Sequence, residues 1–222
     1  MLAKVKVAII DSGVHPSHPH VEGVAGGVGV TPQGLAEDFL DRLGHGTAVA
    51  GAIREKVAHD AELYAVKVFD QRLSANIDAI VRALEWCRDQ RMDLINLSLG
   101  TSNQAHRERF ESVLTGAPLV ISAAHSLPGD LPGVIGVAPD AECPRDSYRY
   151  RDGVFYASPF PRPIPGVPQE HNLNGVSFAV ANMTGLIARF LIETGAGART
   201  PRAPDRIHTE LVARASPGVP AS

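Results

Sequence analysis

The stretch NGVSFAVA at residues 174–181 contains a serine in a turn of small residues, directly before an apolar run. The apolar positions after Ser177 recur at helical spacing, which predicts a buried or half-buried helix that begins near this serine. The free N–H groups and the positive end of the dipole at a helix start favour a developing oxyanion, so a serine there is well placed as a nucleophile. A serine that only caps the helix fits the same local pattern, and other stretches must decide between the two interpretations.

Two further motifs precede this one along the chain. The sequence DSG at 11–13 follows the apolar run Val5–Ile10, so Asp11 lies at the carboxyl end of a predicted buried strand, where α/β enzymes hold functional groups. The sequence GHGTAVAG at 44–51 has His45 between two glycines at the start of a helix of small residues. The glycines leave the imidazole free to reach outward, and the small residues let the helix pack close to a sheet.

The composition bounds the protein class. The chain has 222 residues, with 44% hydrophobic and 20% charged residues, which is typical of one sizeable globular domain. A net charge of −3 gives no basic surface for nucleic acid, and no uninterrupted apolar run reaches about 18 residues, so we expect neither nucleic-acid binding nor membrane insertion.

Strand patterns alternate with helix patterns along most of the chain, which predicts an α/β fold with a mostly parallel sheet. We expect one catalytic domain over residues 1–195. The last segment, residues 196–222, is rich in proline and predicts a C-terminal tail that is loosely docked or partly disordered.

The N-terminal residues run directly into the first predicted strand, so we expect no signal peptide and a cytoplasmic protein. Cys87 and Cys143 are then expected to remain thiols. The spacing of the cysteines and histidines matches no zinc site, and we expect no metal and no cofactor.

Together, the DSG, GHGTAVAG and GVSFA motifs resemble those of the subtilisin-like serine proteases (subtilases, peptidase family S8), in which Asp, His and Ser occur in this order. The stretches LYAVKV at 63–68, NLSLG at 96–100 and PGVIGV at 132–137 extend the resemblance over roughly residues 5–195. It implies a three-layer subtilisin-like fold, with a mostly parallel central sheet flanked by helices.

The resemblance also implies roles for particular residues. Ser177 would be the nucleophile, His45 the general base and acid, and Asp11 the residue that orients and stabilises the imidazole. One further set would bind the substrate, as an added strand or as walls of the pocket for the residue before the cut: Ser98, Leu99, Gly100, Ser122, Ala123 and Ala124.

The sequence departs from the family pattern in three places. His125 stands where the family has an asparagine oxyanion donor, and three interpretations stay open: a substitute donor, a side chain that points away, or a decayed site. Ala181 replaces a proline early in the helix, which predicts a small loss of stability. The segment Arg54–Glu62 is short, and we expect no tight calcium site there.

These motifs predict a serine endopeptidase that hydrolyses peptide bonds through an acyl-enzyme, with dedicated intracellular processing of a peptide or protein precursor as its role. Two alternatives stay open: a catalytically silent protein that only binds peptides, and an acyl transferase or peptide ligase that uses the same acyl-enzyme. The expected partner is a peptide or protein substrate, and the sequence gives no indication of a partner protein.

Overall fold

The computed structural model describes residues 4–195 and 203–216. Its nine-stranded sheet has the order β3-β2-β4-β1-β5-β6-β7-β9-β8, in which only the edge strands β3 and β8 run antiparallel to their neighbours. The strands are β1 (Val5–Asp11), β2 (Gly26–Thr31), β3 (Gly34–Ala36), β4 (Ala61–Lys67), β5 (Leu94–Leu97), β6 (Leu119–Ala123), β7 (Val134–Pro139), β8 (Tyr148–Arg151) and β9 (Val154–Ala157).

Helices cover both faces of the sheet. They are α1 (His45–Val57), α2 (Ile77–Asp89), α3 (Arg107–Leu114), α4 (Val176–Thr194) and α5 (Ala203–Arg214). The core on one face includes side chains from α1, α4 and α5, and the core on the other face includes side chains from α2 and α3. The predicted three-layer α/β class with a mostly parallel sheet is confirmed.

Strand β1 contributes side chains to the hydrophobic cores on both faces of the sheet, because successive side chains of a strand point to opposite faces. Val7 and Ile9 lie in the core under α1 and α4, whereas Ala8 and Ile10 lie in the core under α2 and α3. All four are fully buried. Burial on both faces explains the uninterrupted apolar run in the sequence. The strand ends at Asp11.

Helix α5 of the C-terminal segment has two buried apolar side chains. Ile207 and Leu211 of α5 are each only 1% exposed, and the Tyr148 hydroxyl donates to the Leu211 carbonyl oxygen (2.9 Å). Both side chains, one helical turn apart, belong to the core that α1 and α4 also form. The looseness of the tail as a whole stays a prediction. Residues 196–202 and 217–222 lie outside the described residues, and the boundary at residue 195 stays a prediction.

Helix α4 is long and apolar enough to cross a membrane by length and composition alone. However, 72% of its most apolar window is buried inside the domain. Its packing against α1 is so close that a Cβ on Gly185 would lie 2.7 Å from Cγ of Lys56. The hydrophobicity of α4 is therefore that of a core helix.

The short α1–β4 connection is held by Arg54, whose side chain is buried. Its guanidinium donates to the carbonyl oxygens of Val21 (2.8 Å), Gly23 (2.9 Å) and Ala61 (3.1 Å), and also to that of Ala58. One fixed cation thus satisfies main-chain oxygens from two separate segments. The expected lack of a calcium site in this region stays a prediction.

We predict that Arg54→Lys destabilises the fold by about 3 kcal/mol, because a lysine cannot reach four carbonyl oxygens and leaves buried acceptors unpaired. Thermal unfolding should show a fall in Tm of roughly 10 °C. Arg82→Lys is the matched control, since Arg82 donates to a single carbonyl oxygen, that of Thr31 (2.8 Å). Equal, small shifts in both variants would contradict this role for Arg54.

Candidate active site

The first element of the site is a buried carboxylate at the end of β1. Asp11 has no exposed surface, and its Oδ1 accepts hydrogen bonds from the Ser12 main-chain N–H (2.7 Å) and from His45 Nδ1 (2.7 Å). A buried charge is unfavourable unless it is paired and hydrogen-bonded. Asp11 is therefore poised to orient the imidazole and to stabilise its protonated form.

The glycines around His45 explain how the imidazole reaches Asp11. A Cβ on Gly46 would lie 2.1 Å from the Gly13 carbonyl oxygen and 3.2 Å from Oδ1 of Asp11. Gly44 has a φ of 81°, in the left-handed region that favours glycine. The start of α1 can thus lie directly against the turn at 11–13 because residue 46 has no side chain, whereas Gly44 serves the turn that enters the helix.

The electrostatics of His45 favour its protonated form. Burial of the ring is the largest effect and lowers the pKa, but the hydrogen bond to Asp11 and the charges of Asp11 and Asp41 together outweigh it and raise the pKa. Since the folded-state pKa lies above the ordinary value, this pairing stabilises the fold fully below about pH 6.5 and the contribution is lost as the pH rises through the folded-state pKa. His45 can act as a base only above that pKa.

Ser177 lies in the first turn of α4, whose first N–H groups have no partner within the helix. Its Oγ donates to the Ser98 carbonyl oxygen (3.3 Å), and Ser98 Oγ donates in return to the Ser177 carbonyl oxygen (3.1 Å). The next residue, Phe178, has its ring centroid 5.7 Å from that of His45. The fold thus brings the start of α4 beside His45 and Ser98.

The described residues include no hydrogen bond between His45 and Ser177, since the Ser177 hydroxyl rests on Ser98. Such contacts are often long or unformed before a substrate binds, so a free enzyme with this arrangement is consistent with a nucleophile and base pair. The roles assigned to the three residues remain predictions, which this geometry supports.

A buried polar chain behind Ser177 was missed in the sequence. Asn96 donates through its amide to Ser98 Oγ (2.8 Å) and accepts from Thr184 Oγ1 (3.0 Å), and both Asn96 and Thr184 have no exposed surface. This chain connects the end of β5 to the middle of α4. The sequence feature that could have indicated this chain is an asparagine in a strand that is otherwise apolar. Its partner Thr184 lies 88 positions further along the chain, so only the fold brings the two together.

The predicted substrate residues occupy two adjacent strand ends. Leu97 and Ser122 are paired in the sheet, and Ser122 Oγ donates to the Leu99 carbonyl oxygen (3.1 Å). Ser122 has no exposed surface, so its side chain fixes the neighbouring segment and does not line an open pocket. Ala123 is almost buried, and Gly100 is exposed beyond the strand.

The structure adds a cavity of about 220 Å³ beside Leu99 and Gly100. Its wall combines large apolar side chains with polar groups, including His106, and it lies between the end of β5 and helices α2 and α3. Sequence patterns cannot reveal such a space, because its walls come from four separate segments. The main apolar residues of the wall are Phe69, Leu73, Ile77, Ile80, Leu99 and Phe110.

His125 follows β6 in the left-handed region, with φ of 63°, and it is exposed. Its main-chain N–H donates to Asp130 Oδ1 (2.7 Å), so that N–H is already engaged. Among residues 4–195 and 203–216, no hydrogen bond involves the His125 ring. Its role as an oxyanion donor therefore stays a prediction.

Within the described residues, no group of three or more His, Cys, Asp or Glu side chains is arranged to hold a metal ion. Both cysteines are buried thiols, and burial raises the pKa of each. Neither cysteine has the environment of a reactive thiolate.

Comparison with known proteins gives the family. The model of the subtilase family matches residues 3–139, which include Asp11 and His45. Subtilisin E of Bacillus subtilis is 37% identical over 132 residues, which cover 55% of this chain and 34% of that protein. Subtilisin of Bacillus pumilus is 36% identical over 132 residues, which cover 55% of this chain and 47% of that protein. The chain thus spans less than half of the length of these relatives.

Similarity in structure extends further along the chain. The crystal structure of the nisin leader peptidase NisP from Lactococcus lactis has a TM-score of 0.74 at 18% identity, and the match covers 98% of this chain and 84% of that one. This similarity supports the fold over the part that contains Ser177, beyond the end of the family match.

We predict that Gly46→Ala slows acylation of Ser177 by an activated nitrophenyl ester about 100-fold, because the added Cβ forces α1 away from the 11–13 turn and displaces His45. Initial rates of nitrophenol release measure this. Gly51→Ala is the matched control on the same helix, since the closest atom to its Cβ would be Cβ of His20, at 3.1 Å, in a side chain that can shift. An unchanged rate in Gly46→Ala would contradict the account of this turn.

Proposed function

This chain belongs to the subtilase family, and we propose that it is a serine endopeptidase in which Asp11, His45 and Ser177 form the catalytic triad. The observation that carries the proposal is the 2.7 Å hydrogen bond from His45 to the fully buried Asp11, beside a serine in the first turn of a helix. A serine hydroxyl is a poor nucleophile without an adjacent base that is held in orientation.

In the proposed reaction, Ser177 Oγ leaves the Ser98 carbonyl oxygen and attacks the carbonyl carbon of the substrate, while its proton passes to His45 Nε2. Asp11 accepts from Nδ1 throughout and stabilises the imidazolium. His45 then gives the proton to the leaving nitrogen, the C–N bond breaks and an acyl-enzyme remains. Water, with its proton taken by His45, attacks the ester carbonyl. The bond to Ser177 Oγ breaks, His45 returns the proton to that oxygen, and the product leaves with a new carboxyl group.

The start of α4 supports stabilisation of the tetrahedral intermediate. The Phe178 and Ala179 N–H groups donate to the Gly175 carbonyl oxygen, so the donor proposed here is the Ser177 main-chain N–H, at the positive end of the dipole. A ring N–H of the exposed His125 would add a second donor to the oxyanion when the ring is turned toward Ser177. Its main-chain N–H, bound to Asp130, is not available for this purpose.

We propose that the peptide binds as an added strand along Ser98–Gly100. When the main-chain N–H of the residue before the cut bonds to the Ser98 carbonyl oxygen, it replaces the Ser177 hydroxyl there and leaves that hydroxyl free to reach His45. The cavity beside Leu99 and Gly100 would accept an apolar side chain from the same strand.

We further propose a dedicated processing role on a peptide or protein precursor in the cytoplasm. An extended segment of a precursor fits strand addition, and the two buried thiols suit a reducing compartment. NisP is described as a nisin leader peptidase, and that activity belongs to NisP. It makes synthetic leader-type peptides a sensible first choice of substrate.

The proposal predicts that the chain cleaves peptides from a library of extended leader-type sequences and that each cleavage adds one water. Digestion in H₂¹⁸O followed by mass spectrometry should show one ¹⁸O in each new carboxyl group. Ser177→Ala should lose turnover by a factor of about 10⁶. Ser112→Ala, on the exposed surface of α3, is the control and should keep the wild-type rate.

Other outcomes of this experiment are informative. Joined or cyclic products without added water would favour the peptide ligase. Binding of peptides without any product, unchanged in Ser177→Ala, would favour the catalytically silent protein and overturn the endopeptidase proposal.

A further inference from the structure

A second carboxylate lies beside the candidate site, at Asp41, and it is 8% exposed. Its Oδ1 accepts from the main-chain N–H groups of Leu43 (2.9 Å) and Gly44 (2.9 Å), and its Oδ2 accepts from the main-chain N–H (2.9 Å) and the hydroxyl (2.6 Å) of Thr47. These four bonds hold the first turn of α1, which carries His45.

The same carboxylate is also bonded to the turn that carries Asp11. Ser12 Oγ donates to Asp41 Oδ1 (2.9 Å) and accepts from the Gly46 main-chain N–H (2.9 Å). The Ser12 main-chain N–H in turn donates to Asp11 Oδ1 (2.7 Å), the oxygen on which His45 Nδ1 rests. Asp41 therefore bridges the two main-chain segments whose separation sets the length of the Asp11–His45 hydrogen bond.

We propose that Asp41 is a positioning residue for His45: its ionised carboxylate joins the start of α1 to the Asp11 turn and holds His45 Nδ1 on Asp11 Oδ1. The inference rests on the proposed function for its catalytic consequence, but its structural content can be measured without turnover. Asp41 itself needs no contact with the substrate.

The charge of Asp41, like its hydrogen bonds, favours the pairing of His45 with Asp11. Burial opposes ionisation of this carboxyl group, but the hydrogen bonds from Thr47, Leu43 and Ser12 outweigh burial and lower its pKa, so the group is ionised at neutral pH. Its charge then helps to raise the pKa of His45.

The groups that face His45 are few. From β1 the facing carboxylate is Asp11, from the loop before α1 it is Asp41, and from α4 the neighbour is the uncharged ring of Phe178. Replacing Asp41 by a neutral residue thus leaves Asp11 as the remaining anion that favours the imidazolium.

The test is a proton NMR titration of His45 in the full chain with Ser177→Ala, which removes any self-cleavage. Asp41→Asn should lower the pKa of His45, because an anion that favours the charged ring is lost, and should weaken the downfield Nδ1–H signal of the Asp11 bond. With Ser177 restored, kcat should fall roughly tenfold with little change in KM.

Asp93→Asn is the matched control. Asp93 is 5% exposed and its Oδ2 accepts from the Lys6 main-chain N–H (2.9 Å), at the other end of β1 from Asp11. Its loss should reduce stability without moving the pKa or the signal of His45. If Asp41→Asn lowers Tm as the control does but leaves His45 unchanged, Asp41 only caps the helix and the proposal is wrong.

A second variant keeps the inference testable if Asp41→Asn fails to fold. Ser12→Ala retains the charge of Asp41 and removes the hydroxyl that joins it to the Asp11 turn. The Nδ1–H signal should weaken and exchange faster with water, and an unchanged signal would overturn the proposal. Because these NMR readouts need no substrate, failure of the endopeptidase proposal would appear separately, as absence of cleavage by a chain with a normal Asp11–His45 bond.

Discussion

The structure depends on the burial of one carboxylate at the end of its central strand. Asp11 is shielded from water on both sides of the sheet, and in the described residues its Oδ2 has no hydrogen-bond partner. Both of its polar contacts therefore fall on Oδ1, from Ser12 and His45. An anion with so little solvation favours a proton on the adjacent imidazole, so the unfavourable burial of the strand end is coupled directly to the basicity of His45.

Close packing of small residues makes this coupling geometrically feasible. Gly46 lets α1 touch the 11–13 turn, and Gly185 lets α4 lie against α1, where it approaches Lys56. The two helices thus present His45 and Ser177 on the same side of the sheet, while β5 ends at the same edge with Ser98. Ser98, His45 and Ser177 are each held by a different element, and the buried chain through Asn96 joins two of these elements, β5 and α4.

Much of the fold could be predicted from the sequence, because buried parallel strands and amphipathic or small-residue helices have distinct patterns. The edge hairpin β8–β9 turns at Asp152 and Gly153, whose φ values of 49° and 83° are those of the turn that an Asp-Gly pair predicts. The burial of Ile207 and Leu211 in α5 could not be predicted, because a short segment with few apolar residues does not indicate which surface it packs against. The three residues proposed as the triad were suggested by local motifs, whereas the contacts of Asp41, Asn96 and the cavity depend on segments that only the fold brings together.

The most direct measurement of the central claim is the intact mass of the chain after treatment with a fluorophosphonate between about pH 6 and pH 9. The account predicts one adduct per chain, its absence in Ser177→Ala, and a labelling rate in Asp11→Asn lower by about 10⁴-fold, with the rate rising as His45 loses its proton. No adduct on the native chain across this range, or equal labelling of Ser177→Ala, would contradict the claim that the buried Asp11 and His45 activate Ser177.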